Sequence, residues 1–128
     1  MRTIGLTASL LVAIPALADG GQAPPANMIT VPEGFSIELL ASAGAGHGSW
    51  ISMCFDDTGR VIVGSQYEGL HRIDLSTTPP TITTLDVPVR DVHGLCADGN
   101  VLWANSTREP KDGGGLWKLT DADGDGSY

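Results

Sequence analysis

The sequence has few of the residues that would indicate several common protein classes. It contains two cysteines, Cys54 and Cys96, and neither belongs to a CxxC or CxxCH motif. A zinc knuckle and a covalently attached c-type haem within this chain are therefore excluded. Lysine and arginine number 7 against 15 aspartates and glutamates. Nucleic acid is excluded as a partner, because binding it requires clustered positive charge.

Long apolar runs are also scarce, and the clearest one lies at the N-terminus. Residues 1–18 begin with Arg2, continue with an apolar stretch and end in Ala16-Leu17-Ala18, which is typical of a signal peptide. The stretch is shorter than the roughly 20 residues that a membrane span needs. We therefore predict export to the periplasm or the extracellular space, and no membrane span in the mature chain.

The remaining chain divides into a leader and a folded part. Residues 19–30 are rich in glycine, proline and alanine and predict a flexible leader. Order is predicted to begin at Val31, and the alternation in residues 35–42 predicts a half-buried strand. In an oxidising compartment Cys54 and Cys96 can form a disulfide, but two buried free thiols fit the sequence equally well.

The folded part can be written twice. Residues 52–65 read as a strand, an Asp-Gly turn and a second strand, and a Gly-Leu strand follows at residues 69–74. Residues 94–106 and 115–121 repeat this order. Three matches define the repeat: Cys54 with Cys96 at a separation of 42, residues 59–61 with 99–101 at 40, and residues 69–70 with 115–116 at 46.

A repeat of this length with short strands predicts an all-β fold, namely a β-propeller. The β-branched run at residues 81–85 would supply a fourth, outer strand of the first blade. A β-sandwich with repeated hairpins is the alternative. Two blades cannot close a ring, because propellers need about 4 to 8. Residues 31–128 are therefore interpreted as the N-terminal blades of a truncated propeller.

Three aspartates at the end of the sequence are candidate metal ligands. Asp121, Asp123 and Asp125 alternate, and Gly126 follows, as in the first half of an EF-hand loop. Alternate carboxylates on a tight loop converge on one point, which suits calcium. The alternative is an acidic, solvated turn, since Asp-Gly pairs commonly form turns.

His93 is the candidate catalytic residue. It precedes the first strand of the second repeat, where its side chain could face a central channel and act as a general base. The alternative is a partly exposed histidine bonded to a nearby carbonyl. The sequence assigns no role to His47 or His71, of which the latter is predicted to face outwards. Trp50 is a candidate ligand platform, whereas Trp103 and Trp117 are predicted to pack between blades.

These segments resemble a known family. VPEGFSIELLAS, GSWISMCFDDTGRVIVGSQYEGLHRID, VHGLCADGNVLWANS and GLWKLTDADGDG resemble the start of the propeller in membrane-bound-dehydrogenase-type proteins of Planctomycetes. That group is similar to the soluble glucose and sorbosone dehydrogenases. The resemblance implies a propeller that is six-bladed when complete. It also implies oxidation of a sugar or alcohol with pyrroloquinoline quinone (PQQ) and calcium, and a c-type cytochrome as electron acceptor.

The resemblance extends to one candidate site residue. His93 is the position that could correspond to the channel-facing histidine of the quinoproteins, but Gly94-Leu95 follows where those proteins carry glycines and an arginine. The quinone-binding arginines would lie outside this sequence, so the chain alone is predicted to be inactive. Two alternatives remain open, namely a non-catalytic, calcium-stabilised propeller that binds carbohydrate or protein, and a lactonase-like hydrolytic propeller.

Overall fold

The computed structural model describes residues 24–128. The predicted signal peptide, residues 1–18, and the first part of the predicted leader lie outside the described residues. The rest of the leader is exposed and contains one 3₁₀ turn at Ala26–Met28. A second 3₁₀ turn lies at Pro110–Asp112, and residues 24–128 contain no α-helix. In this range no helix has the length and apolar character needed to cross a membrane.

The chain folds into two antiparallel sheets. Sheet A has the order β1-β2-β3-β4, and sheet B has the order β5-β6-β7. Sheet A comprises β1 (Trp50–Phe55), β2 (Val61–Ser65), β3 (Leu70–Asp74) and β4 (Thr81–Thr84). Sheet B comprises β5 (Val92–Asp98), β6 (Val101–Ser106) and β7 (Gly115–Thr120). The prediction of an all-β fold is confirmed, including the fourth strand of the first copy.

Each copy of the sequence repeat forms one sheet, and the two sheets share an irregularity. The register shifts between Trp50 and Ser52 in β1, and again between Val92 and Gly94 in β5. Such a bulge leaves one residue without a partner and bends the strand. The bulge residues are Ile51 and His93, which are separated by the same 42 residues as the two cysteines.

The strand register defines which residues are equivalent. Phe55 pairs with Val61 across a turn of five residues, whereas Asp98 pairs with Val101 across a turn of two. Because Ala97 pairs with Leu102, the equivalent of Val61 is Leu102. The expected match of residues 59–61 with 99–101 is therefore one residue out of register, owing to the shorter second turn.

The first turn is fixed by a buried aspartate. One carboxylate oxygen of Asp56 accepts hydrogen bonds from the Thr58 N–H, the Thr58 hydroxyl and the Arg60 N–H at 2.7–3.0 Å. Its other oxygen accepts from Arg60 Nε at 2.7 Å. Burial alone would raise the pKa of Asp56, but these hydrogen bonds outweigh it and lower the pKa. Gly59 completes the turn with a φ of 82°, a conformation that favours glycine.

The two sheets pack face to face. Strands β1 and β2 lie against β5, and the main core contains residues of both sheets and of the segment between them. Gly64 permits the close approach, because a Cβ at this position would lie 2.6 Å from the Val92 carbonyl oxygen. Ser52 Oγ donates to the same oxygen at 2.7 Å. The buried core residues are Ile62, Leu70, Leu85, Val87, Val89, Val92, Leu102, Ala104 and Leu119.

A second, smaller core covers the other face of sheet A. Val61, Val63 and Ile73 are buried there, and Ala41 and Trp50 pack against them, together with Leu75 and Ile82. Trp50 is thus a packing residue at the beginning of β1. The predicted strand at residues 35–42 is not formed, and its large apolar side chains are exposed, namely Phe35, Ile37, Leu39 and Leu40. A strand needs a partner, and none of the described residues pairs with this segment.

Candidate functional site

The segment that follows β7 folds around its first aspartate. Asp121 is buried, and its two carboxylate oxygens accept hydrogen bonds from the N–H groups of Gly124 and Gly126, both at 2.8 Å. The exposed Asp125 accepts from the Ser127 N–H at 2.6 Å, and this hydrogen bond lowers the pKa of the Asp125 carboxyl. These contacts make a compact acidic loop, residues 121–126, which we call the carboxylate loop.

The carboxylate loop brings the predicted metal ligands together. One oxygen from each of Asp121, Asp123 and Asp125 lies within 4.8 Å of the others. Carboxylate oxygens are hard donors of the kind that calcium prefers, so the donor set fits such a cation. Calcium takes roughly six to eight oxygens, and water or backbone carbonyls would have to complete the shell.

Two arginines of the first repeat lie against the carboxylate loop, which the sequence did not predict. Arg72 Nη1 donates to the Gly126 carbonyl at 2.7 Å. Arg60 lies beside it, because a Cβ on Gly126 would be 2.6 Å from Arg60 Nη1. Position 126 thus requires glycine both for its φ of 87° and for this approach. Arg72 thus links the loop of the second repeat to the first repeat, and Arg60 places a second positive charge beside the loop.

The same contacts connect the loop to other polar groups. Arg60 also pairs with Asp56, so one guanidinium joins the turn after β1 to the loop after β7. A pocket of about 190 Å³ lies beside the loop. It is lined by Arg72, Thr83, Thr84, Leu85, Asp86, Gly126, Ser127 and Tyr128.

His93 occupies the bulge at the beginning of β5, and its side chain is exposed. Asp91, two residues before His93, has a φ of 51°, which is unusual for a non-glycine residue. Asp91 is fixed in place, since its carboxylate accepts from Arg108 Nε and its carbonyl accepts from the Thr107 N–H at 3.1 Å. His93 therefore projects from a firmly held corner.

The two arginines at this corner do not suit PQQ. Arg90 Nη1 donates to the carbonyls of Val87 and Val89 at 2.6 and 2.9 Å, and Arg108 pairs with Asp91. The carboxylates of PQQ require cations that are free to bind them. The described residues near His93 thus do not fit PQQ.

The two candidate sites lie at opposite ends of sheet B. Val92 pairs with Ser106 at one end of the sheet, and Asp98 pairs with Val101 at the other. Thr120, the last residue before the carboxylate loop, also pairs with Val101. With about 3.4 Å per residue along β5, His93 and the loop are roughly 17 Å apart. Calcium in the loop could not contact a substrate bound at His93.

A buried histidine pair is a feature that the sequence did not predict. His71 is 0% exposed, so the expectation that it faces outwards was wrong. Its Nδ1 lies 3.1 Å from Thr84 Oγ1, and its ring meets that of His47 edge to face at 5.1 Å between centroids. Burial, and then the proximity of His47, lower the pKa of His71. His47 belongs to the loop before β1, and the alternation in β3 alone does not reveal that this loop lies over His71.

The cysteines and the remaining tryptophans have structural positions. Cys54 is half-buried and Cys96 exposed, and they are not bridged. Burial, and then the neighbouring Cys96, raise the pKa of the Cys54 thiol, which favours an unreactive thiol. Trp117 packs against the main core and donates Nε1 to the Gly113 carbonyl at 2.8 Å. Trp103 lies beneath the Lys118 ammonium, 5.9 Å from its ring centroid.

Comparisons of this chain with protein-family models, curated proteins and solved structures gave no match. The function is therefore inferred from the residues themselves. The features that carry it are the two equivalent sheets, the carboxylate loop and the exposed His93.

Proposed function

We propose that the chain supplies two neighbouring blades of an exported, dehydrogenase-like β-propeller that oxidises a sugar or alcohol. The observation that carries the proposal is the arrangement of β1 and β5. Both strands begin with the same bulge, and they lie next to each other in consecutive sheets. In a propeller the first strand of each blade lines the central channel, where ligands bind.

In this arrangement His93 lies on the channel wall. An exposed imidazole can accept the proton of a substrate hydroxyl as the adjacent carbon is oxidised. The electrons need an acceptor that the residues near His93 do not hold. Other blades would have to bind the quinone, and a c-type cytochrome would be the final acceptor.

The carboxylate loop has a structural part in this proposal. Calcium bound by Asp121, Asp123 and Asp125 would neutralise the acidic loop where it lies against sheet A. The ion would stabilise the contact between the blades, because Gly126, the last residue of the loop, accepts a hydrogen bond from Arg72 of the preceding sheet. The chemistry of this ion is charge neutralisation, since it lies far from His93.

The test is an oxidation assay on the exported protein with all of its blades, because the chain alone is predicted to be inactive. The protein is incubated with PQQ, calcium, an electron-accepting dye and a panel of sugars and alcohols. We expect dye reduction above background, and a loss of at least about tenfold in the H93A variant, as for removal of a general base. An E33Q variant, which changes an exposed residue far from β5, is the control.

Absence of dye reduction with every substrate would contradict the enzymatic proposal. If calcium binding persisted in that case, the non-catalytic propeller that binds carbohydrate or protein would be favoured instead. The carboxylate loop supports this second function, because its three aspartates do not depend on His93.

A further inference from the structure

Each sheet of this chain has one face in the main core, and the register shows that the two faces are not equivalent. The face of sheet A that contributes to the core carries Cys54, Ile62 and Leu70. Sheet B contributes the opposite face of the repeat, which carries Leu95, Ala97, Leu102, Ala104, Trp117 and Leu119. The contact between the sheets is therefore head to tail.

In a head-to-tail contact the two sheets use different faces of the repeat. The equivalent of each of these faces is therefore also present on the other sheet. The free face of sheet B carries the equivalents of the residues with which sheet A covers sheet B. The equivalent pairs are Cys54 and Cys96, Ile62 and Trp103, Leu70 and Leu116, and Arg72 and Lys118. Each pair retains its chemical type. Leu70 is 0% exposed, whereas Leu116 is 69% exposed.

The other half of the contact is the free face of β1. In the chain, β1 and β2 lie against β5. The equivalent of β5 is β1, and its outer residues Met53 and Phe55 are 60% and 58% exposed. They are the equivalents of Leu95 and Ala97, which are packed against the core. The N-terminal segment covers β2 and β3 on this face, but it leaves this part of β1 open.

The open face of β1 also has a suitable shape. A groove of about 370 Å³ lies there, lined by Trp50, Ile51, Ser52, Met53 and Val63. Trp103 and Leu116 are large apolar side chains of the kind that such a groove can bury. The equivalent contact within the chain has already buried Ile62 and Leu70.

The charges at the edge of this contact are complementary. Within the chain, Arg72 donates to a carbonyl of the loop that follows β7. The equivalent of Arg72 is Lys118, and the equivalent loop follows β3. Asp74, the last residue of β3, lies directly before that loop, and hydrogen bonds from Ser76 lower the pKa of its carboxyl. An ammonium of one copy would thus lie near a carboxylate of the next.

We propose that copies of this chain associate head to tail, with β5 and β6 of one copy packed against the open face of β1 in the next. A contact between two different surfaces continues until it closes a ring or forms a filament. Propellers close with about 4 to 8 blades, so a ring would contain roughly two to four copies. The inference rests on the blade arrangement proposed above and not on the oxidation chemistry; it concerns this chain by itself, in which further copies cover the open faces.

The first measurement is the mass of the purified chain in solution, by light scattering coupled to size exclusion and by sedimentation. We expect a discrete oligomer of two to four copies at micromolar concentration. The M53D variant places a charge on the open face of β1, and the L116D variant places one on the free face of sheet B. Each change should prevent association, so each variant should have the mass of a single copy. Both residues are exposed, and circular dichroism should therefore remain as in the unaltered chain.

Mixing the two variants distinguishes this contact from a symmetric one. The L116D chain retains an open β1, and the M53D chain retains an open sheet B, so an equimolar mixture should form a pair and no larger species. The Y67D variant, altered at an exposed apolar residue in the turn between β2 and β3, should assemble as the unaltered chain does.

Two results would overturn the inference. One is a single-copy mass for the unaltered chain up to about 100 µM, the outcome expected if a different polypeptide segment covers these faces. The other is an assembling chain whose two variants do not pair when mixed, which indicates a symmetric contact. Both readouts are independent of dye reduction, so loss of the enzymatic proposal alone would leave them unchanged.

Discussion

Sheets A and B are built from the same unit, yet their equivalent residues lie in different environments. Leu70 and Leu116 occupy the same place in the repeat, and the first is fully buried while the second is 69% exposed. His71 and Trp117 are likewise equivalent, but His71 is buried beside His47, whereas Trp117 packs against the main core. The local sequence of each unit specifies its strands, whereas neighbouring segments determine which of its faces is buried.

The largest difference between the sheets is expected when the two equivalent leucines are truncated. The L70A variant removes a fully buried side chain from the main core and should lower the free energy of unfolding by about 3 kcal/mol. The L116A variant removes an exposed one and should change it by no more than about 0.5 kcal/mol. Denaturant unfolding at low protein concentration measures both. Equal losses would show that the two sheets are equivalent in stability as well as in register.

A smaller effect is expected from pH, because sheet A buries a titrating histidine at the position where sheet B carries the half-buried Trp117. His71 is surrounded by Thr84, His47, Glu68 and Arg90. Its folded pKa is lowered, so below about pH 6.5 the unfolded chain binds more protons than the folded one. The contribution of the neutral His71 to stability is therefore fully present above about pH 6.5, and it is lost as the pH falls from this value towards the folded pKa.

The measurement is the thermal midpoint between pH 7.5 and 5. We expect it to decline with falling pH in the unaltered chain and to decline less in the H71F variant, which fills the site without a titrating group. The H93A variant removes an exposed histidine and should decline as the unaltered chain does. A profile that is identical in all three would contradict the assignment to His71.

The smallest effect concerns the carboxylate loop that follows β7. The double variant D123N/D125N should bind calcium or terbium at least about tenfold more weakly, because two of the three clustered carboxylates lose their charge. The thermal midpoint in a chelator should stay unchanged, since both residues are exposed. The D74N variant removes a carboxylate at the end of β3, outside the carboxylate loop, and is the control. Calorimetric titration gives the affinities, and equal affinities in all variants would exclude a metal site in the loop.

Part of the candidate site could be predicted from the sequence. The alternate spacing of Asp121, Asp123 and Asp125 correctly indicated that their carboxylates converge, because spacing within one loop is local information. The sequence did not predict the contacts of this loop with Arg60 and Arg72. These arginines are separated from Gly126 by more than 50 residues, and only the packing of the two sheets brings them together.

The sequence by itself determined the strands, the turns and the order of the two repeats. These depend on side-chain alternation, on β-branched residues and on glycines in left-handed turns, all of which act over a few residues. Tertiary structure alone decided that residues 35–42 form no strand, that His71 is buried and that Leu116 is exposed. Burial depends on what lies against a face, and the chain segments that cover a sheet are remote in sequence from the residues that they bury.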